Sequence, residues 1–217
     1  MVSKMPAMTE TTRTLLVFSL LSLWVTACSP GTRSGDDDDS ASDDDDAVGF
    51  TGGVELETSL GTLEVQLFLE DSPITTANFL AYVDEGFYDG DDGLGATVFH
   101  RVIPGFMAQG GGQTAEGLSK DTHSAILNEA SQSGLSNLRG TLAMARTNSP
   151  NSATSQFFVN VVDNPFLDAG GSTPDGYAVF GEVISGMDVV DEIVAVATDA
   201  NDNPLEAVVI LEAARIE

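Results

Sequence analysis

The chain has 217 residues, enough for one well-filled domain with something left over, and a 42% hydrophobic content can supply its core. Eight basic residues against 34 acidic ones give a formal charge of −26, which excludes nucleic acid as a partner because its phosphates would be repelled. The single cysteine, Cys28, excludes an internal disulfide and dithiol redox chemistry, so the fold must rest on its core even outside the cytoplasm.

Residues 1–28 read as an export leader. Lys4 and Arg13 precede an apolar run over residues 15–25, whose 11 residues suit a signal core and fall short of a membrane-spanning helix. The run ends in Val25-Thr26-Ala27-Cys28, which resembles a bacterial lipobox; Cys28 would then carry lipid as the first mature residue. An ordinary signal peptide with an incidental cysteine is the plainer alternative. Under the lipobox reading the product is an exported lipoprotein of the cell envelope, facing the periplasm or exterior, touching the membrane only through its anchor.

Residues 29–47 hold two aspartate runs, 36–39 and 43–46, among Gly, Ser and Thr. Blocks of like charge repel and bury nothing, so an acidic, disordered tether is expected. Calcium binding there would lack the glycine-turned loop and alternating ligands of a formed site. The leader contributes +1 and the tether −7, leaving −20 on residues 48–217, which form the remaining domain. A folded domain at that charge repels itself, and a surface adapted to salty surroundings is the expected remedy.

Residues 54–68 hold two strand-like stretches around Ser59-Leu60-Gly61, the second alternating Leu63, Val65 and Leu67 with Glu64 and Gln66, so a hairpin is predicted. Asp71-Ser72-Pro73 starts a helix with Ser72 at the cap; Ile74, Ala77, Leu80 or Ala81, and Val83 follow at helical spacing, and Gly86 ends it. Asn78 and Phe79 are read as packing residues. A Gly- and Asp-rich loop over 89–95 leads to Phe99-His100-Arg101-Val102-Ile103-Pro104-Gly105-Phe106-Met107-Ala108-Gln109-Gly110-Gly111-Gly112, two extended pieces bent at Pro104-Gly105. An arginine, an aromatic, a thioether and an amide fall within nine positions here, which offers an apolar hole with a fixed cation beside it.

Residues 110–138 read as irregular; the Gly triplet lacks the Lys-Ser/Thr or GxGxxG context of a phosphate cradle. Strands are expected over 141–145, 155–161, 177–183 and 208–216, the last pairing with the first, and a second helix within 184–196 with Met187, Val190, Ile193 and Val194 on one side. Many strands, two helices and no βαβ alternation predict a mainly β fold, a closed antiparallel barrel capped by two helices.

Conventional catalytic constellations are missing: there is no GxSxG elbow, and the only histidines are His100 and His123. His100 follows the strand alternation away from Arg101 and reads as a structural histidine; metal chemistry has too few ligands.

The central stretch, with Gly140-Thr141-Leu142-Ala143-Met144-Ala145-Arg146 and Ser155-Gln156-Phe157-Phe158-Val159-Asn160 following in order, resembles the cyclophilins, peptidyl-prolyl cis-trans isomerases, in their bacterial exported branch. The resemblance spans residues 54–217. It implies an eight-stranded barrel and, without any cofactor, acceleration of rotation about X-Pro bonds in unfolded or flexible envelope proteins by a monomer. By motif position it implies catalytic Arg101, Phe106 and Gln109, with Met107, Ala145, Arg146, Gln156, Phe158, Phe166, Leu167 and Tyr177 binding substrate. Gln109 and Gln156 would hold the substrate backbone and orient Arg101. Phe166 stands where many eukaryotic members have tryptophan, which argues against cyclosporin binding because the indole donor is absent; Tyr177 replaces a frequent histidine and Arg146 an asparagine. A module that binds proline segments as a chaperone or adaptor without turning them over is the alternative. Taken singly, the aromatics could be core and Arg101 a surface salt bridge; their occurrence together in three ordered blocks favours a pocket.

Overall fold

The computed structural model describes residues 52–216; the export leader, Cys28 and the acidic tether lie outside the described residues. Strands form where apolar and polar side chains alternate. β1 (Gly53–Thr58) and β2 (Gly61–Leu67) pair as the expected hairpin, Val54 opposite Val65 and Leu56 opposite Leu63, all four fully buried. Each such side chain taken from water contributes about 1.5–3 kcal/mol. β3 (Thr97–Ile103) and β4 (Met107–Thr114) form a second hairpin, with Gly105 at its turn in the left-handed region (φ 70°). β5 (Thr141–Met144), β6 (Phe157–Asn160), β7 (Val179–Ser185) and β8 (Ile210–Ile216) complete one antiparallel sheet in the order β3-β4-β6-β5-β7-β2-β1-β8. The last strand does pair with the first.

The sheet makes a half-barrel, which corrects the expected closed barrel. Its edges, β3 and β8, meet only through a bridge at Val98 and Val209 and a hydrogen bond from the Phe99 N–H to the Val208 carbonyl (2.9 Å). Farther along β3 the neighbour is a loop. The Val102 N–H donates to the Asp202 carbonyl (2.9 Å), and register shifts between Thr97 and Arg101 disturb the ladder.

β4 also runs through the Gly triplet, where an irregular segment was expected. A side chain at Gly111 would meet the rings of Tyr88 and Phe157 within 2.9 Å, and one at Gly112 would collide with the Gln156 side chain. Those glycines serve close packing within a strand.

Three helices accompany the sheet: α1 (Pro73–Asp84), a single turn α2 (Ala130–Ser133) and α3 (Met187–Ala195). α3 buries Val190, Ile193 and Val194 as its spacing predicts. α1 starts at Ser72, yet the Ser72 hydroxyl donates to the Val179 carbonyl (2.7 Å) and leaves the capping to another residue. The Glu129 carboxylate accepts the amides of Ile74 (3.1 Å) and Thr75 (2.7 Å) and the Thr75 hydroxyl (2.6 Å). These bonds turn the threonines inward. Ile74 and Ala77, expected on the packing face, are exposed, while Phe79, Leu80, Tyr82 and Val83 enter the core.

Across β4 to β7 successive side chains part company. Ala108, Leu142, Met144, Phe157, Val159 and Phe180 join the main core; Met107, Ala143, Phe158 and Val179 form a second apolar cluster on the other face of the sheet. That second cluster is the floor of the site.

Candidate active site

Strand register assembles the site. Arg101 stands opposite Gln109, Gln109 opposite Phe158, Phe158 opposite Ala143, and Ala143 opposite Val179, one row crossing five strands. Residues directly opposite share a face, so the row sets a cation, an amide and an apolar floor side by side.

Over it lies a cavity of about 160 Å³ lined by Arg101, Phe106, Met107, Gln109, Ala145, Arg146, Phe158, Leu167 and Tyr177. That is small beside the ~300–1,000 Å³ of pockets that enclose drug-sized ligands, and suits one or two side chains of a polypeptide. The remaining two residues proposed from sequence stand one layer back. Gln156 accepts a hydrogen bond at Oε1 from Gln109 Nε2 (3.0 Å), and Phe166 stacks on Phe106 with ring centres 5.8 Å apart.

The wall is apolar where the motif predicted a socket. Met107, Phe158 and Leu167 are almost fully buried, and Phe158 meets the Tyr177 ring edge to face at 5.7 Å. Arg146 lies over Tyr177 at 4.4 Å and donates to backbone, Nε to the Gly176 carbonyl and Nη1 to the Thr147 carbonyl, both 2.9 Å, while its Nη2 is buried with no hydrogen-bond partner among the described residues. Its stacking and two backbone bonds fix it as part of the wall.

Arg101 is 42% exposed, with Nε 3.7 Å from Asp202 Oδ2. The two glutamines bond each other, with Gln109 opposite Arg101 in the strand register, and among the described residues the carboxylate paired with the guanidinium is that of Asp202. An exposed pair of this kind contributes at most about 1 kcal/mol, too little to hold Arg101 away from the cavity it lines.

His100 lies against the Val98 carbonyl and the Gln156 side chain; burial first, and the Arg101 charge beside it, push its pKa down, so the ring is neutral at pH 7. His123 is elsewhere, stacked on Tyr82 and 2.9 Å from Glu85.

A buried amide network behind the site has no counterpart in the sequence reading. Asn160 donates to the Thr141 hydroxyl (3.0 Å) and accepts from Asn164 (2.8 Å), whose amide also reaches the Phe106 carbonyl (3.1 Å). Asn137 donates to Asp168 from its backbone (2.7 Å) and side chain (3.0 Å) and to the Tyr177 carbonyl (3.3 Å). This network fixes the loop that carries Leu167 and Tyr177. Burial alone would raise the Asp168 carboxyl, but hydrogen bonds from Ser136 and Asn137 outweigh it and hold its pKa below the usual aspartate value. Asn160 closes the third sequence block, but its partners are remote in the chain and leave no local signal.

Residues 53–215 match the family described as cyclophilin type peptidyl-prolyl cis-trans isomerase/CLD. A peptidyl-prolyl cis-trans isomerase of Acinetobacter baylyi is 56% identical over 145 residues, covering 67% of this chain and 73% of its own. Peptidyl-prolyl cis-trans isomerase B of Escherichia coli is 50% identical over 163 residues, covering 72% of this chain and 95% of its own. Among solved structures, a cyclophilin-type isomerase of Cryptosporidium parvum studied in the presence of the dipeptide Ala-Pro superposes with a TM-score of 0.60 at 27% identity, over 76% of this chain and 99% of that one. A row of facing strand residues that sets a guanidinium beside an apolar socket, found in a sequence matched along nearly its whole described length, makes the chain a member of the cyclophilin-type peptidyl-prolyl cis-trans isomerases.

Proposed function

We propose that the cavity turns X-Pro bonds by offering the Arg101 guanidinium to the prolyl nitrogen as the amide twists. The observation that carries this reading is the Arg101-Gln109-Phe158 row, with a cation at the rim and an apolar floor below it. An X-Pro bond resists rotation because the nitrogen lone pair is delocalised into the carbonyl, with a barrier of about 18–20 kcal/mol. Twisting localises the pair on nitrogen, which becomes a better hydrogen-bond acceptor than in either planar state. A donor aimed there stabilises the twisted amide selectively, and no bond is made or broken. Arginine suits the task because it stays charged and its donors are held in a plane.

In this reading Phe106, Met107, Phe158 and Leu167 seat the proline ring, Gln109 and Gln156 hold the substrate backbone, and Ala145 and Arg146 flank the residues before proline. Tyr177 braces the wall, and Phe166 supports Phe106 from behind. The substrates are unfolded or flexible polypeptides of the cell envelope, reached by a monomer anchored through lipid on Cys28; the apolar run and its Val-Thr-Ala-Cys end support that placement.

A protease-coupled assay on an X-Pro peptide tests the chemistry. Arg101→Ala should lower kcat/KM by about 10²–10³-fold while sparing peptide affinity, and Arg101→Lys should not restore it. Binding without acceleration by the native protein would point to a proline-peptide module instead. Cys28→Ala should release soluble protein or block maturation; unchanged membrane fractionation would refute the anchor.

A further inference from the structure

We infer that Asp202 is a positioning residue for Arg101, holding the guanidinium by its Nε edge so that the terminal amino groups are the donors left for the substrate. This rests on Arg101 acting at the prolyl nitrogen. Asp202 Oδ2 lies 3.7 Å from Arg101 Nε, with the two side chains 44% and 42% exposed. Its backbone is unusual as well: at φ 64°, Asp202 is the only non-glycine residue with positive φ among the described residues. A left-handed conformation is uncommon outside glycine, and aspartate is among the few side chains that tolerate it.

The surrounding loop is built to hold it. The Asp199 carboxylate accepts the backbone N–H of Asn201 (2.8 Å) and of Asn203 (2.9 Å), together with the Asn203 side-chain amide. The Asp202 N–H donates to the Asp199 carbonyl (3.2 Å), and the Asp202 carbonyl accepts from Val102, the strand residue next to Arg101 (2.9 Å). The backbone of Asp202 is thus clamped to the strand that carries Arg101. At 3.7 Å the carboxylate acts on the guanidinium as a charge, and the attraction strengthens when bound substrate excludes water from the rim. Half-exposed, the pair is also open to screening by salt.

The test compares the native protein with Asp202→Gly and Asp202→Asn, using kcat and KM on a short X-Pro peptide at 20 mM and 1 M NaCl, with melting temperatures alongside. Asp202→Gly keeps the left-handed backbone accessible, so it should melt close to the native protein while losing about three- to tenfold in kcat at unchanged KM. Asp202→Asn should lose activity similarly, and in 1 M NaCl the native rate should fall toward that of the variants, whose own rates stay flat. In an Arg101→Ala background, Asp202→Gly should have no further effect on rate. Native-like kcat in both variants, a loss of activity that tracks a loss of stability, or an undiminished effect without Arg101 would overturn the inference alone. A native protein that leaves the peptide's isomerisation unchanged would overturn the isomerase reading and this inference with it.

Discussion

Gly111 and Gly112 are neighbours in β4 and should fail in different ways when given a methyl group. At Gly111 (φ 78°) the new carbon would meet the Tyr88 and Phe157 rings at 2.8–2.9 Å, and both rings are locked in the core. Gly111→Ala is expected to cost at least about 2 kcal/mol, read as a lower urea midpoint at constant m. At Gly112 the obstacle is the Gln156 side chain, which can yield. Gly112→Ala should cost under about 1 kcal/mol in stability, yet moving Gln156 breaks its bond with Gln109 and should lower kcat/KM about three- to tenfold. Neither role is legible in a run of three glycines, because what decides it is which side chain of a distant strand lies overhead. The protonation states of the site residues give another expectation. Burial keeps His100 neutral and the proposed mechanism transfers no proton, so kcat/KM should be flat between about pH 7 and 9; a bell-shaped profile would indicate an acid–base step the proposed mechanism does not contain.

Helix α1 is held by a carboxylate far away in the chain, and the loop carrying Leu167 is held by its own Asp168, whose donors Ser136 and Asn137 are the distant partners. Ser72-Pro73 marked the start of α1 correctly, since proline fits the first turn whatever surrounds it. The cap itself came from Glu129, more than fifty positions on, which no local pattern announces. Glu129→Ala strands two amides and the Thr75 hydroxyl and should cost about 1–3 kcal/mol in thermal or chemical unfolding. Asp168 makes a pH-dependent contribution. Its folded pKa is depressed, so its stabilisation is complete above the usual aspartate value of about 3.9 and is lost as pH falls through the folded value. Urea midpoints measured from pH 7 down to 2 should therefore fall less steeply at the acid end for Asp168→Asn, from a lower starting point; parallel curves would show that the carboxylate does not matter.

For the whole molecule, charge is the dominant unbalanced quantity. Residues 48–217 carry −20, and their few cations are already engaged: Lys120 with Asp92 and the carbonyls of Phe87 and Gly95, Arg139 with Asp191, Arg215 with Asp84. Salt weakens the exposed pairs, each of which contributes no more than about 1 kcal/mol, and at the same time relieves the repulsion among the remaining acids. The second effect is larger at this charge. The melting temperature should rise by several degrees between 20 mM and 0.5 M NaCl, and a flat response would mean the acids are spaced widely enough to ignore one another.

The first hairpin, the two long helices and the turn at Pro104-Gly105 were legible in the sequence, because period-two alternation, helix boundaries and turn residues are properties of contiguous residues. Folding alone decided the rest: that the sheet stops at a half-barrel because a loop occupies the edge of β3, that Glu129 caps a helix it does not adjoin, and that Asp202 pairs with Arg101. These depend on hydrogen bonds and charges between segments far apart in the chain. Such pairings follow from how the strands align in space, which a linear pattern constrains only loosely.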